Sequence, residues 1–426
     1  MRFAAALRGG RFRFAAPRHL AATSGDAYLA TMSTAGDERR ALAVLLGVIF
    51  LNIAGFGLVI PLLPFFGQSF QADAWQITLL FSAYSFGSFL GEPFWGRLSD
   101  RIGRRRVLIV TITCAALSYI GLAFAPTIWA AMGMRLIGGF FFGNISTLQG
   151  AIADITAPEK RAARMGVMGA AFSAGFVAGP ALGGLLARPS LGTLGFQLPL
   201  FAAAGFGLAS ALAVVALVRD VPRPVASGPK PARTARLREA LAHPVIGRVI
   251  LISFLVVSGF AGIEATWGLW TEQEFGWGPR EIGFAFMGIG VLGAFCQAWL
   301  SGRLVRRWGE VAVLTAGLVF MAVGMLTQFV AAAWPIVILG FSFVCLGQSI
   351  CFPNIAALIS KSAPPDRQGE MLGLNMSGMA LARIGGPVVA GQAFSLVSPG
   401  APFLITAALT LPAMWLASQV GRRAAA

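Results

Sequence analysis

Apolar residues run along this chain in stretches of about 20, separated by short polar connections. Twelve such stretches can be marked, at roughly 41–63, 76–96, 107–126, 128–152, 164–187, 196–218, 247–270, 282–302, 311–332, 335–358, 371–396 and 402–420. Each is long enough for a helix to cross a hydrocarbon core about 30 Å thick. Barrel strands need only about ten residues of alternating polarity, and that pattern is not what the chain shows. The expected fold is an all-α integral membrane protein with twelve transmembrane helices.

The polar connections repeat. Gly96-Arg-Leu-Ser-Asp-Arg-Ile-Gly103-Arg-Arg-Arg106 separates the second and third stretches, and a degraded copy, Gly302-Arg-Leu-Val-Arg-Arg-Trp-Gly309, separates the eighth and ninth. Pro158-Glu-Lys aligns in the same way with Pro365-Asp-Arg, and Gly179-Pro180 with Gly386-Pro387. The chain therefore divides into two pseudo-equivalent six-helix bundles, 41–218 and 247–421. Between them, 219–246 is rich in Pro, Arg and Ala and reads as a flexible linker. Residues 1–40 form a basic, acid-poor tail, expected to be disordered, or else the chain begins at Met32 and the preceding residues are an over-long start. Internal duplication of this kind is how secondary transporters are built, with the cargo site near the bilayer midplane between the repeats.

Composition agrees: of 426 residues 57% are hydrophobic and 12% charged, with a mean hydropathy of +0.75. The net charge of +16 is explained by topology. All of the 33 Lys and Arg except Arg135, Arg188, Arg280 and Arg383 fall in the tails or in alternate connections. The positive-inside rule then puts both termini and the linker in the cytoplasm. Trp75, Trp129 and Trp334 begin helices on the opposite side, as interface anchors do. Nucleic acid is excluded as the partner of the basic residues; anionic lipid is the expected one. The four cysteines lie inside apolar stretches and read as small core residues. No metal-ligand spacing, nucleotide-binding loop or nucleophile–base pair is present, so neither enzyme activity, a cofactor nor ATP drive is expected.

Three further patterns carry a family resemblance. The first is Gly96-x-Leu98-x-Asp100-Arg101-x-Gly103-Arg104-Arg105, with glycines that permit a tight turn. The second is Arg135-x-x-Gly138-Gly139-x-x-x-Gly143 in the fourth helix. The third is Gly175-x-x-x-Gly179-Pro180-x-x-Gly183-Gly184 in the fifth, whose glycines at i, i+4 and i+8 let another helix approach closely. In these motifs the chain resembles the major facilitator superfamily, within it the twelve-span drug:proton antiporters, and most of all the tetracycline-resistance branch. The resemblance implies that Asp100, with Gly96, Arg101, Gly103 and Arg104, forms a conformational latch against the N-terminal end of the eleventh helix. Arg306 replaces the acid in the second copy, so the latch is expected to be asymmetric. It also implies that Arg135 takes part in proton movement, and that Gly175, Gly179, Pro180, Gly183 and Gly184 mark an exporter. Two departures matter: the branch's first-helix aspartate is Asn52 here, and its eighth-helix histidine corresponds to Gly293.

The ionisable residues inside the spans are Glu92, Arg135, Asp154, Glu264 and Arg383. Glu92 and Asp154 lie close to the cytoplasmic face and suit gating or inter-helix pairing. Glu264 lies about 24 Å into the seventh helix. A partly desolvated carboxyl there can alternate between neutral and charged forms, or form a static pair with Arg383 or Arg135. It is the first candidate for proton carrier. The family architecture implies a cargo cavity lined by helices 1, 4, 7 and 10, with Asn52, Asn144, Gln149, Trp267, Trp270, Gln348 and Asn354 as candidate contacts. Few polar groups among many aromatics suit an amphiphilic molecule better than a sugar. The expected function is proton-coupled efflux of a small amphiphile by a monomer working in the lipid bilayer. A uniporter or importer of a metabolite on the same fold is the alternative.

Overall fold

The computed structural model describes residues 35–218, 242–364 and 367–424. Nearly all of the expected tail and most of the linker lie outside that range. Twelve helical units follow in order: α1 (Ala35–Val59), prolonged by turns to Gln68; α2 (Ala74–Ile102); α3 (Arg104–Ala123); α4 (Ile128–Phe142, resumed as Ile145–Asp154); α5 (Arg161–Leu186); and α6 (Gln197–Leu217). The second half comprises α7 (Ile246–Phe275), α8 (Pro279–Phe295), α9 (Ser301–Phe329), α10 (Trp334–Ser362), α11 (Gln368–Leu396) and α12 (Ala401–Ala424). No strand occurs among the described residues. Helix α1 starts at Ala35, inside the stretch expected to be tail.

Among the described residues, 9 stretches are long and apolar enough to cross a membrane. One of them, Pro279–Phe329, has 51 residues. It runs through a π-turn at Cys296–Leu300 and breaks at Gly309, so it supplies both α8 and α9. The long helices outside that hydropathy limit are α2 and α11, of 29 residues each. They pack on each other across the boundary between the bundles. Their polarity is tolerable because part of each faces protein rather than lipid.

The duplication is visible in the geometry. Gly103 (φ 101°, ψ 147°) and Gly309 (φ 78°, ψ 162°) hold the same backbone conformation, one that only glycine adopts readily. Helix α5 seats on α1 as α11 seats on α7, and α3 packs on α6 as α9 packs on α12. The glycines explain the first pair. A Cβ on Gly175 would lie 3.0 Å from the Ile53 side chain, and one on Gly179 2.8 Å from the Leu58 nitrogen. In α11, Gly386 lies against the Ser258 backbone of α7 in the same way.

The bundles meet through α2 with α11 and α5 with α8. Ser82 Oγ donates to the Ile384 carbonyl at 2.8 Å. Gln68 Nε2 donates to Glu272 at 2.5 Å. Gly184 lies against Pro279 and Arg280, and Gly268 against Pro64. All these contacts lie toward the end that carries Trp75, Trp129 and Trp334. One buried core spans both bundles there, from Leu58, Phe66 and Tyr119 to Trp267, Phe286 and Phe341. Toward the basic-loop end the large buried cores are separate, one within each bundle. Gly166 and Gly169 in α5, and Gly369 and Gly373 in α11, face open space at that end. The molecule is therefore shut on the tryptophan side and parted on the basic-loop side.

Candidate functional site

Between the bundles lies a cavity of about 410 Å³, walled by α5, α7, α8, α10 and α11. Its wall is aromatic, with Phe172 and Phe176 from α5, Phe260 from α7, Phe286 from α8 and Phe341 and Phe352 from α10. Against this surface stand a few polar groups: Glu264, Arg383, Gln297, Gln348 and Ser349.

Glu264 and Arg383 form the charged centre. The guanidinium Nη1 of Arg383 stands 3.9 Å from the Glu264 carboxylate. The carboxylate side chain is 9% exposed and the arginine 42%, so the arginine's remaining donors face the cavity. At that separation the pair is an ion contact rather than a tight hydrogen bond. Arg135 is buried in the other bundle. Its Nε donates to the Leu80 carbonyl at 3.3 Å, and its guanidinium lies 4.1 Å over the Tyr84 ring. That stacking keeps a desolvated cation in place without a carboxylate. Glu264 is within electrostatic reach of both arginines.

The seven expected cavity contacts scatter. Gln348 lines the cavity. Trp267 is fully buried, stacked on Phe341 with ring centroids 4.3 Å apart. Trp270 packs edge-on against Phe403 at 4.7 Å. Both tryptophans lie beyond Glu264 toward the shut end, where the bundles seal them. Asn144 sits at the break in α4 and donates to Thr111 Oγ1 at 2.8 Å, tying α4 to α3. Asn354 Nδ2 donates to the Ile350 carbonyl within α10, and Asn52 Nδ2 to the Val48 carbonyl within α1. Gln149 is exposed. The walls contributed by α5 and α8 were not anticipated. The signal for them was present: Gly283 and Gly290 put α8 against α5, next to Gly184 and Val177.

The other expected residues occupy the basic-loop end. Asp100 meets Arg104 at 2.7 Å and is 59% exposed. Arg104 in turn stands 3.6 Å from the buried Asp154, joining the Gly96–Arg106 turn to the end of α4. Gly96 ends no helix, since α2 runs on to Ile102; Gly103 makes the turn. Arg101 and Glu92 are exposed. Gly175, Gly179 and Gly183 receive α1, while Gly184 receives the first turn of α8. No group of metal-binding side chains occurs among the described residues.

Two helical bundles parted on one side, with a charged and aromatic cavity between them, are the architecture of a membrane transporter. The family model of the Major Facilitator Superfamily matches residues 45–270 and 249–423, and the chain belongs to that family, whose members are transporters and not enzymes. It is 31% identical to the tetracycline resistance protein, class C, of Escherichia coli, over 88% of this chain and 95% of that one. It is 26% identical to the quinolone resistance protein NorA of Staphylococcus aureus (strain MRSA252), over 82% of this chain and 88% of NorA. Among solved structures it resembles the human organic anion transporter MFSD10, with a TM-score of 0.66 at 26% identity over 89% of this chain and 99% of that one. A bacterial homologue of the lysosomal transporter Spinster, in an inward-facing and occupied conformation, superposes with a TM-score of 0.74 at 16% identity, covering 89% and 95% of the two chains.

Proposed function

We propose that this protein exports a small amphiphilic, drug-like molecule across the bacterial inner membrane in exchange for protons. The relatives named for tetracycline and quinolone resistance support efflux. The observation that carries the mechanism is the Glu264 carboxylate in the wall of an aromatic cavity, beside Arg383. Both termini lie in the cytoplasm, so the parted side faces inward and the cavity loads from the cytoplasm.

The direction of coupling constrains the cargo. Antiport requires that proton and cargo exclude each other, and linkage makes that exclusion reciprocal. An anion bound to Arg383 would bind better once Glu264 is neutralised, which is co-transport. A cationic or amine-bearing cargo held by ionised Glu264 is expelled when the carboxyl takes a proton, which is antiport. The proposed cycle therefore has a cationic amphiphile stacked among Phe172, Phe286 and Phe352 with its charge at Glu264. A proton arriving from outside displaces it, and the neutral carboxyl lets the empty carrier return. Asp100 acts as a latch that engages when the basic-loop side closes.

Inverted vesicles carrying Glu264→Gln test this. A gradient of one pH unit supplies about 1.4 kcal/mol per proton, or tenfold accumulation. The variant, which mimics the protonated carboxyl, is expected to lose that accumulation and to bind the cationic cargo only weakly. Unchanged uphill efflux overturns the assignment. Wild-type transport indifferent to a collapsed pH gradient indicates a uniporter instead.

A further inference from the structure

A larger space than the central cavity lies on the far faces of the same helices. It has a volume of about 790 Å³ and runs between α7 and α11 with Phe89 of α2 at its side. A smaller space of about 250 Å³ continues it toward the shut end between α7, α11 and α12, with Phe254 in the wall of both. Leu381 lines this groove and Arg383 the central cavity. Two residues apart on a helix, they point about 200° from each other. Leu251 and Glu264 are likewise divided between the two spaces. The groove therefore opens away from the transport site, toward the bilayer. From Gly247 to Gly262 it extends about 22 Å along α7, which exceeds the roughly 15 Å thickness of one leaflet's hydrocarbon.

Its walls are almost wholly apolar along the length and polar at one end. There, at the basic-loop end, stand Arg248 and His243. Arg248 is hydrogen-bonded to the Pro244 carbonyl, and no carboxylate pairs with it among the described residues. His243 Nδ1 accepts from the Val245 and Ile246 backbone N–H groups, capping the start of α7. That contact fixes the tautomer: the neutral ring must carry its proton on Nε2, leaving a donor there. A guanidinium and an imidazole N–H at the mouth of a hydrocarbon slot match a phosphate headgroup with an acyl chain below it.

We infer that this groove is a binding site for an anionic phospholipid of the cytoplasmic leaflet, with its phosphate at Arg248 and His243 and an acyl chain between α7 and α11. A basic pocket between helices on the cytoplasmic side is the physical form such a site takes. Because α7 and α11 also carry Glu264 and Arg383, an occupied groove holds the outer faces of the two helices that form the charged centre.

Native mass spectrometry of the full chain tests it, with phosphatidylglycerol and phosphatidylethanolamine supplied in equal amounts. Wild type is expected to retain one phosphatidylglycerol in preference. Arg248→Gln should lower that preference about fivefold, the value of one basic group near a membrane surface. Gly385→Phe fills the groove. Gly385 lines its continuation toward the shut end and a Cβ there meets nothing within 4 Å, and thermal unfolding in detergent checks that the variant stays folded. It should lower retention of both lipids. Equal retention of the two lipids by wild type, or no change in either variant, overturns the site. The measurement needs no cargo and no proton gradient, so it stands or falls apart from the transport proposal.

Discussion

Replacing Gly184 with alanine puts one methyl group where α5 touches the first turn of α8. An ideal Cβ at Gly184 falls 3.0 Å from Arg280 Cα and 3.2 Å from the Pro279 carbonyl carbon. Ordinary carbon contacts are about 3.5–4.0 Å, so the helices must separate by roughly half an ångström or more. Both neighbours are backbone atoms and cannot rotate away. Overpacking of this kind costs about 1–3 kcal/mol. The contact belongs to the state that is shut on the tryptophan side. The penalty therefore falls on that state alone and shifts the balance about 5- to 150-fold toward the opposite one. A cysteine at Ser173, in the cavity wall, reports this when the native cysteines are replaced. Its labelling by an impermeant thiol reagent should slow from the basic-loop side and quicken from the other. Gly288→Ala on α8 is the control, because a Cβ there meets nothing within 4 Å. If Gly184→Ala labels like the control from both sides, the α5–α8 contact is not a gate.

Two further outcomes follow from packing and charge. Arg104→Gln removes one ion-pair partner of the buried Asp154 and should lower stability more than Lys361→Gln, at an exposed pair with Glu310, which should cost less than about 1 kcal/mol; thermal unfolding in detergent compares them. Trp267→Ala should lose about 3–5 kcal/mol of stability and Trp267→Phe should recover most of it by restacking on Phe341, and a variant that keeps its stability but changes cargo selectivity would show that the tryptophan meets cargo.

The apolar stretches make the all-helical membrane fold legible. Helices α2 and α11 fall outside the hydropathy limit that 9 stretches among the described residues meet, and they are legible instead from the duplication, which gives each of them a counterpart. The cavity was less legible. Spacing along α7 puts Glu264 and Trp267 within one turn of each other, but it cannot say at which depth the bundles close. Trp267 and Trp270 lie above that depth and are sealed; Glu264 lies below it and is not. The aromatic wall from Phe172 and Phe176 was missed for a related reason. The glycine spacing in α5 shows that other helices approach closely but not which ones. Gly184 and Gly283 answer it by bringing α8 against α5, and with α8 comes Gln297.

The two gates differ in kind. On the tryptophan side glycine backbones in van der Waals contact, an interaction that weakens steeply over an ångström, stand beside the Ser82–Ile384 and Gln68–Glu272 hydrogen bonds. On the basic-loop side the duplicated turns carry charges. Arg104 reaches Asp154 at the end of α4, and at the matching place in the second half Glu310 reaches Lys361 at the end of α10. The turn glycines, Gly103 and Gly309, keep the same conformation, yet the two ion pairs have exchanged signs. Exchange of both partners keeps the attraction within each bundle. Asp100 in one turn and Arg306 in the other are inverted in the same way. Each turn nevertheless stays net positive, with five arginines to one aspartate over 96–106 and three arginines to one glutamate over 302–310. The bundles therefore repel at long range on the basic-loop side, and salt, by screening that repulsion, should favour closure there.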